Sequence, residues 1–185
     1  YAIGDFSRAA QLLRQTVEAE DREFGTPSTS IQSQYPAWLA LTLGELGAFA
    51  EGRRHGEEAL RLAMLAGQGT GLIRAHRCLG SLYLAQGDLE HATKVLDQGL
   101  ALCRASGKPT NFRPIAASLG YASALQGRLA EGRALLEEAI SESIRTGARQ
   151  GPRWFSWLSE VCRLAGRGEE AWQHAHQALD LAHQQ

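Results

Sequence analysis

The groups in this sequence that could do chemistry are three cysteines, six histidines and three pairs of adjacent glutamates. Their spacing decides what each can do. His174, His176 and His183 suggest a metal site, but they are separated by two and by seven residues. A helix brings residues four apart side by side, so these separations do not assemble the ligand set a metal needs. Cys78, Cys103 and Cys162 are 25 and 59 residues apart and form no paired motif. With no base recognisable beside them they are expected to be buried, inert thiols. An odd number of scattered cysteines argues against a disulfide framework and for a reducing, cytoplasmic setting. The pairs Glu57 and Glu58, Glu137 and Glu138, and Glu169 and Glu170 invite an acid–base reading. Neighbours on a helix diverge by about 100° and cannot converge on one bond, so a solvated outer face is expected.

No phosphate loop, dinucleotide fingerprint, nucleophile elbow or metalloprotease helix occurs. Neither catalysis nor a cofactor is therefore expected. Nor does charge point to a polyanion: 19 basic and 20 acidic residues leave a net charge of −1, which gives no drive toward nucleic acid or an anionic membrane. The chain is 44% hydrophobic and 21% charged, the mix of a globular protein rather than a disordered one. No apolar run approaches the length of a membrane span.

What could position functional groups is a repeat. Gly4, Gly47, Gly87, Gly127 and Gly166 stand 43, 40, 40 and 39 residues apart, and Gly25, Gly67, Gly107 and Gly147 follow about 20 residues after the first four. Glycine takes the left-handed conformation of a helix C-cap at least cost, so each period is expected to be a helix, a tight corner, a second helix and a stop. Apolar residues agree: Leu89, Ala92, Leu96, Leu100 and Cys103 form one helical stripe, matched by Leu129, Gly132, Leu136, Ile140 and Ser143. Three residues into each second helix the stripe carries Ala or Gly, and Leu39, Leu79, Leu119 and Leu158 are each followed by a small residue. Small residues at facing positions let two helices of a hairpin cross closely. The five prolines all fall in or just after the connections.

The spacing predicts nine helices, over 5–24, 34–46, 48–66, 70–86, 88–106, 113–126, 128–146, 152–165 and 168–184. The Ser- and Thr-rich stretch 25–34 is expected to be a loop. Tyr1 lies three residues before a corner glycine, so the chain is expected to be a fragment whose first helix lacks its hairpin partner. A neighbouring copy, in a homodimer, or omitted protein would cover that helix. Gly168 and His174 replace apolar residues in the last helix, as in a capping helix.

Leu79, Gly80, Tyr83, Gly87, Ala92 and Leu96 together resemble the tetratricopeptide repeat (TPR) pattern. The resemblance covers nearly the whole chain, with departures at Ser123 and Cys162, where Tyr83 has its counterparts, and at Gly56, where a large residue is usual. The period near 40 resembles the long-period arrays of bacterial multidomain regulators, including transcription activators and nucleotide cyclases. The resemblance implies an all-α fold, a right-handed superhelical array of antiparallel hairpins. It implies a single repeat domain over 1–185, with units near 1–25 (partial), 34–67, 70–107, 111–147 and 152–185.

In such arrays the first helices line a concave face that receives a peptide or partner. Carrying over those positions gives Arg74, Arg77 and Ser81, then Tyr121 and Leu125, then Arg153, Glu160 and Arg163, with Asn111 and Arg113 at the mouth. Guanidinium groups bind carboxylates through paired hydrogen bonds, so an acidic segment or chain terminus is the expected ligand. The alternative is that these arginines are solvated or pair with local glutamates. The carboxylate clamp of some TPR domains needs asparagines that are missing at the matching positions, which disfavours that ligand. Trp38, Trp154, Phe155 and Trp157 are expected to pack the core or bridge hairpins, and Trp172 to be exposed. The function expected is a noncatalytic interaction scaffold of a larger bacterial regulatory protein, serving a fused catalytic or DNA-binding domain. The alternative is a regulatory domain that senses a small molecule or signalling peptide. The arginine-to-lysine ratio of 17 to 2 fits a bacterial gene of high GC content.

Overall fold

A computed structural model describes residues 5–24, 33–67, 69–107, 111–147 and 151–184, with side chains omitted over 21–24. The described residues form nine α-helices and no strand: α1 Phe6–Phe24, α2 Gln34–Glu45, α3 Phe49–Leu65, α4 Gly69–Gln86, α5 Leu89–Ser106, α6 Phe112–Leu125, α7 Leu129–Arg145, α8 Pro152–Leu164 and α9 Gly168–His183. Every expected helix is present to within two residues at either end. The expected corners Gly4 and Gly25, and nearly all of the Ser- and Thr-rich loop, lie outside the described residues.

Four corners share one backbone solution. Gly47, Gly87, Gly127 and Gly166 have φ of 74°, 82°, 89° and 74°, a region where a β-carbon is strained. At each corner the glycine N–H donates to a carbonyl three residues back and the next N–H to one five residues back. Ala48 donates to Leu43 at 2.9 Å, Asp88 to Tyr83 at 3.0 Å, Arg128 to Ser123 at 3.0 Å and Arg167 to Cys162 at 2.9 Å. This is the Schellman arrangement, which satisfies the last carbonyls of one helix while the chain turns into the next.

The chain divides into two compact units, Tyr1–Gly107 and Lys108–Gln185. In the first, α2 packs on α1, α3 and α4, and α4 packs on α3 and α5. Its core holds Leu39, Leu43, Ile73, Leu82 and Leu96, all essentially inaccessible to solvent. Gly56 is no defect here: Leu79 of α4 enters the space a larger residue would fill, its Cδ1 within 2.7 Å of where a β-carbon would stand. In the second unit α6 pairs with α7 and α8 with α9 around Ile115, Leu119, Leu136, Leu158 and Val161. The α6–α7 crossing is so close that a β-carbon on Gly120 would lie 2.6 Å from the carbonyl oxygen of Gly132. No helix among the described residues is long and apolar enough to cross a membrane.

Candidate functional site

In the first unit, α4 carries Arg74, Arg77 and Ser81 along one stripe beside α2. Arg74 Nη1 donates to Gln34 Oε1 at 3.2 Å. The guanidinium carbon of Arg77 sits 4.7 Å from the centre of the Trp38 ring, an arrangement in which the cation meets the negative face of the π system. Arg77 Nε is buried without a hydrogen-bond partner. Both arginines are half-buried, and neither meets a carboxylate among the described residues. Other arginines do: Arg14 with Glu51 at 2.7 Å, Arg61 with Glu58 at 2.6 Å, and Arg133 with Glu137 at 2.6 Å and Glu170 at 2.8 Å.

In the second unit, α6 and α8 bring Tyr121, Glu160 and Arg163 together. The Tyr121 hydroxyl donates to Glu160 Oε2 at 2.5 Å, and Arg163 Nη2 lies 3.9 Å from Glu160 Oε1. Tyr121 also stacks on Trp157, with centroids 4.8 Å apart and planes 6° from parallel. Burial, then the hydrogen bond to Glu160 and its negative charge, push the Tyr121 hydroxyl up to about 12. The remaining candidates lie elsewhere. Asn111 is the N-cap residue of α6 without a side-chain cap bond. Arg113 Nη1 donates to Thr146 Oγ1 at 2.8 Å, at the C-terminal end of α7. Arg153 is exposed on the first turn of α8, and Leu125 is exposed at the end of α6.

No family model and no curated protein matches this sequence. Solved structures do. A Podospora anserina kinesin light chain built of nearly identical TPR-like repeats superposes with a TM-score of 0.70 at 17% identity, over 97% of this chain and 88% of that one. A thermophilic TPR protein of Thermus thermophilus gives 0.69 at 21% identity, over 98% and 86%. The Rap conjugation gene regulator of the plasmid pLS20, solved in complex with the Phr* peptide, gives 0.77 at 16% identity, over 96% of this chain and 50% of that one. The fold is a TPR-like helical repeat.

Within this TPR-like frame, two of the tryptophans expected to pack the core or bridge hairpins are bridges: Trp38 of α2 carries Arg77 of α4, and Trp157 of α8 covers Tyr121 of α6. They touch the candidate residues as well as the packing, and so does Gln34. The signal available for them was position, since Trp38 and Trp157 both stand one residue before a repeat leucine. Trp172 is exposed, its ring 4.0 Å from that of His176. His174 Nδ1 is 2.9 Å from Gln177 Oε1. All three cysteines are buried, and burial pushes their thiols up, away from the reactive thiolate. The glutamate pairs lie at the surface, with Glu58, Glu137 and Glu170 bound to arginines.

Proposed function

We propose that this TPR-like chain is a single repeat domain acting as a noncatalytic interaction scaffold, part of a larger bacterial regulatory protein of the cytoplasm. Its first helices bind a protein or peptide that presents an acidic segment or a carboxyl terminus. One observation carries this reading: Arg74 and Arg77 are held by an amide and an aromatic ring rather than by carboxylates. Their orientation is fixed while their charge is left uncompensated, so an incoming carboxylate gains a charge-assisted bond without displacing a resident one. The second unit, taken by itself, carries an ordered aromatic and polar surface of Tyr121, Trp157 and Glu160, and aromatic rings are among the residue types that dominate binding hot spots.

Panning a random peptide library against the folded chain tests the reading. Enrichment of peptides rich in Asp and Glu, lost with Arg74→Glu/Arg77→Glu, supports it. Basic or unselected sequences, or equal capture by the variant, refute it.

The Rap regulator, bound to its peptide, favours a second reading in which the chain senses a signalling peptide or small effector and relays it to an attached domain. A melting temperature that rises with effector concentration favours the sensor.

A further inference from the structure

A cleft of about 460 Å³ opens in the second unit between α7 and α9, floored by α8. It does not involve the first-helix residues proposed above. Its walls are Ile140 and Ile144 from α7, Phe155 and Leu158 from α8, and Leu181 from α9. Phe155 forms part of its floor. This ring stands three residues before Leu158, where the preceding first helix has Ala116 three residues before Leu119, and it meets His174 of α9 with centroids 6.3 Å apart.

Among the described residues the charged groups that line the cleft are Glu137 and Asp180, with no lysine or arginine. Glu137 is held by Arg133, which is itself shared with Glu170. Asp180 is exposed, and among the described residues its carboxylate has neither a hydrogen bond nor an ion pair. His174 and Gln177, bonded to each other, supply the neutral polar edge.

We propose that this cleft binds a small amphipathic ammonium compound, its apolar body against Ile140, Ile144, Phe155 and Leu181 and its cationic end on the Asp180 carboxylate. The volume lies within the range of about 300 to 1,000 Å³ of small-ligand sites. A carboxylate beside an apolar trough repels anions and leaves a neutral ligand without a charged partner, so a cation with an apolar tail is the complementary chemistry.

Octylammonium, octanol and octanoate share one body and differ in charge, and amide chemical shifts of the full chain report where and how tightly each binds. The expected order is octylammonium about ten-fold tighter than octanol, with octanoate weakest, and shifts centred on Ile144, Phe155 and Leu181. Asp180→Asn, at an exposed position, brings octylammonium to the level of octanol, and Asp180→Lys makes octanoate the tighter of the two ions. Equal affinities, shifts outside α7 to α9, or an order indifferent to Asp180 overturn the proposal. So does Asp180-dependent binding of a basic amphipathic helical peptide without binding of octylammonium. None of these outcomes bears on Arg74 and Arg77, whose role is read separately by acidic peptides.

Discussion

Ser159 Oγ donates a 2.7 Å hydrogen bond to the carbonyl oxygen of Ala171, joining α8 to α9 at the register position where Gly80 and Gly120 join their own hairpins. A side chain is tolerated there when it bonds the facing backbone. Where glycine stands instead, the neighbours decide the cost of a β-carbon.

Alanine at three glycines should therefore give three different results. A β-carbon on Gly44 meets Leu82 at an ordinary 3.5 Å, so Gly44→Ala should stabilise by about 0.5 to 1 kcal/mol through helix propensity alone. On Gly80 it would lie 2.5 Å from Leu96 Cγ, in a side chain that can shift. The propensity gain should offset part of the overpacking, leaving a loss of about 1 kcal/mol. On Gly120 it would strike the Gly132 carbonyl, which is backbone, and the loss should be about 2 to 3 kcal/mol. Urea unfolding of the three variants measures the order.

Tyr121 should make the protein sensitive to alkali. Its hydroxyl ionises near 12 in the folded chain against an ordinary 10. The stability it contributes is complete below pH 10 and is lost as pH rises toward 12, because the unfolded chain releases the proton first. The site is partly solvated, so the contribution is about 1 kcal/mol. Tyr121→Phe should make the fall of unfolding free energy across that window shallower; a slope as steep as the wild type's would remove Tyr121 as a source.

His76 should act at the other end of the scale. Burial holds its imidazole below the usual 6.5, against a hydrogen bond to the backbone at Val95 that raises it, and Nδ1 has no partner. The unfolded chain takes up the proton first as pH falls, so stability drops on going below pH 6.5. Carboxylates lose theirs lower: Glu51, depressed chiefly by its hydrogen bond to Arg14, acts below its ordinary 4.5. Unfolding of His76→Gln followed from about pH 7 to about pH 5 should lack the decline seen in the wild type.

Arg133 ties α7 to α9 through Glu170, and two carboxylates hold its guanidinium firmly protonated. Arg133→Met should cost about 1 to 2 kcal/mol and speed amide exchange in α9 while leaving α1 to α5 unchanged. Uniform exchange across the chain would show that the tie is not local.

The corners were legible from sequence because only glycine accepts their φ without strain, so Gly47, Gly87, Gly127 and Gly166 mark them directly. The helices followed, since apolar spacing fixes which face each one buries. Contacts between hairpins were less legible. Whether Arg77 meets solvent, a glutamate or Trp38 depends on how α4 lies along α2, which a single helix's periodicity does not encode. That Arg113 bonds Thr146 was likewise not readable, since the contact depends on where the end of α7 lies beside the first turn of α6. The α7–α9 cleft went unread because side chains of three helices line it, and their mutual placement is not encoded in the periodicity of any one of them.

What distinguishes α4 is positive charge at Arg74 and Arg77 that no carboxylate among the described residues meets. Its most direct test is the affinity of an acidic peptide taken from the library, measured by calorimetry for the wild type and for Arg74→Glu/Arg77→Glu at low and high salt. The variant should lose about ten-fold or more in affinity, and the salt dependence should disappear with the two arginines. Equal affinity and equal salt dependence in both proteins would contradict it.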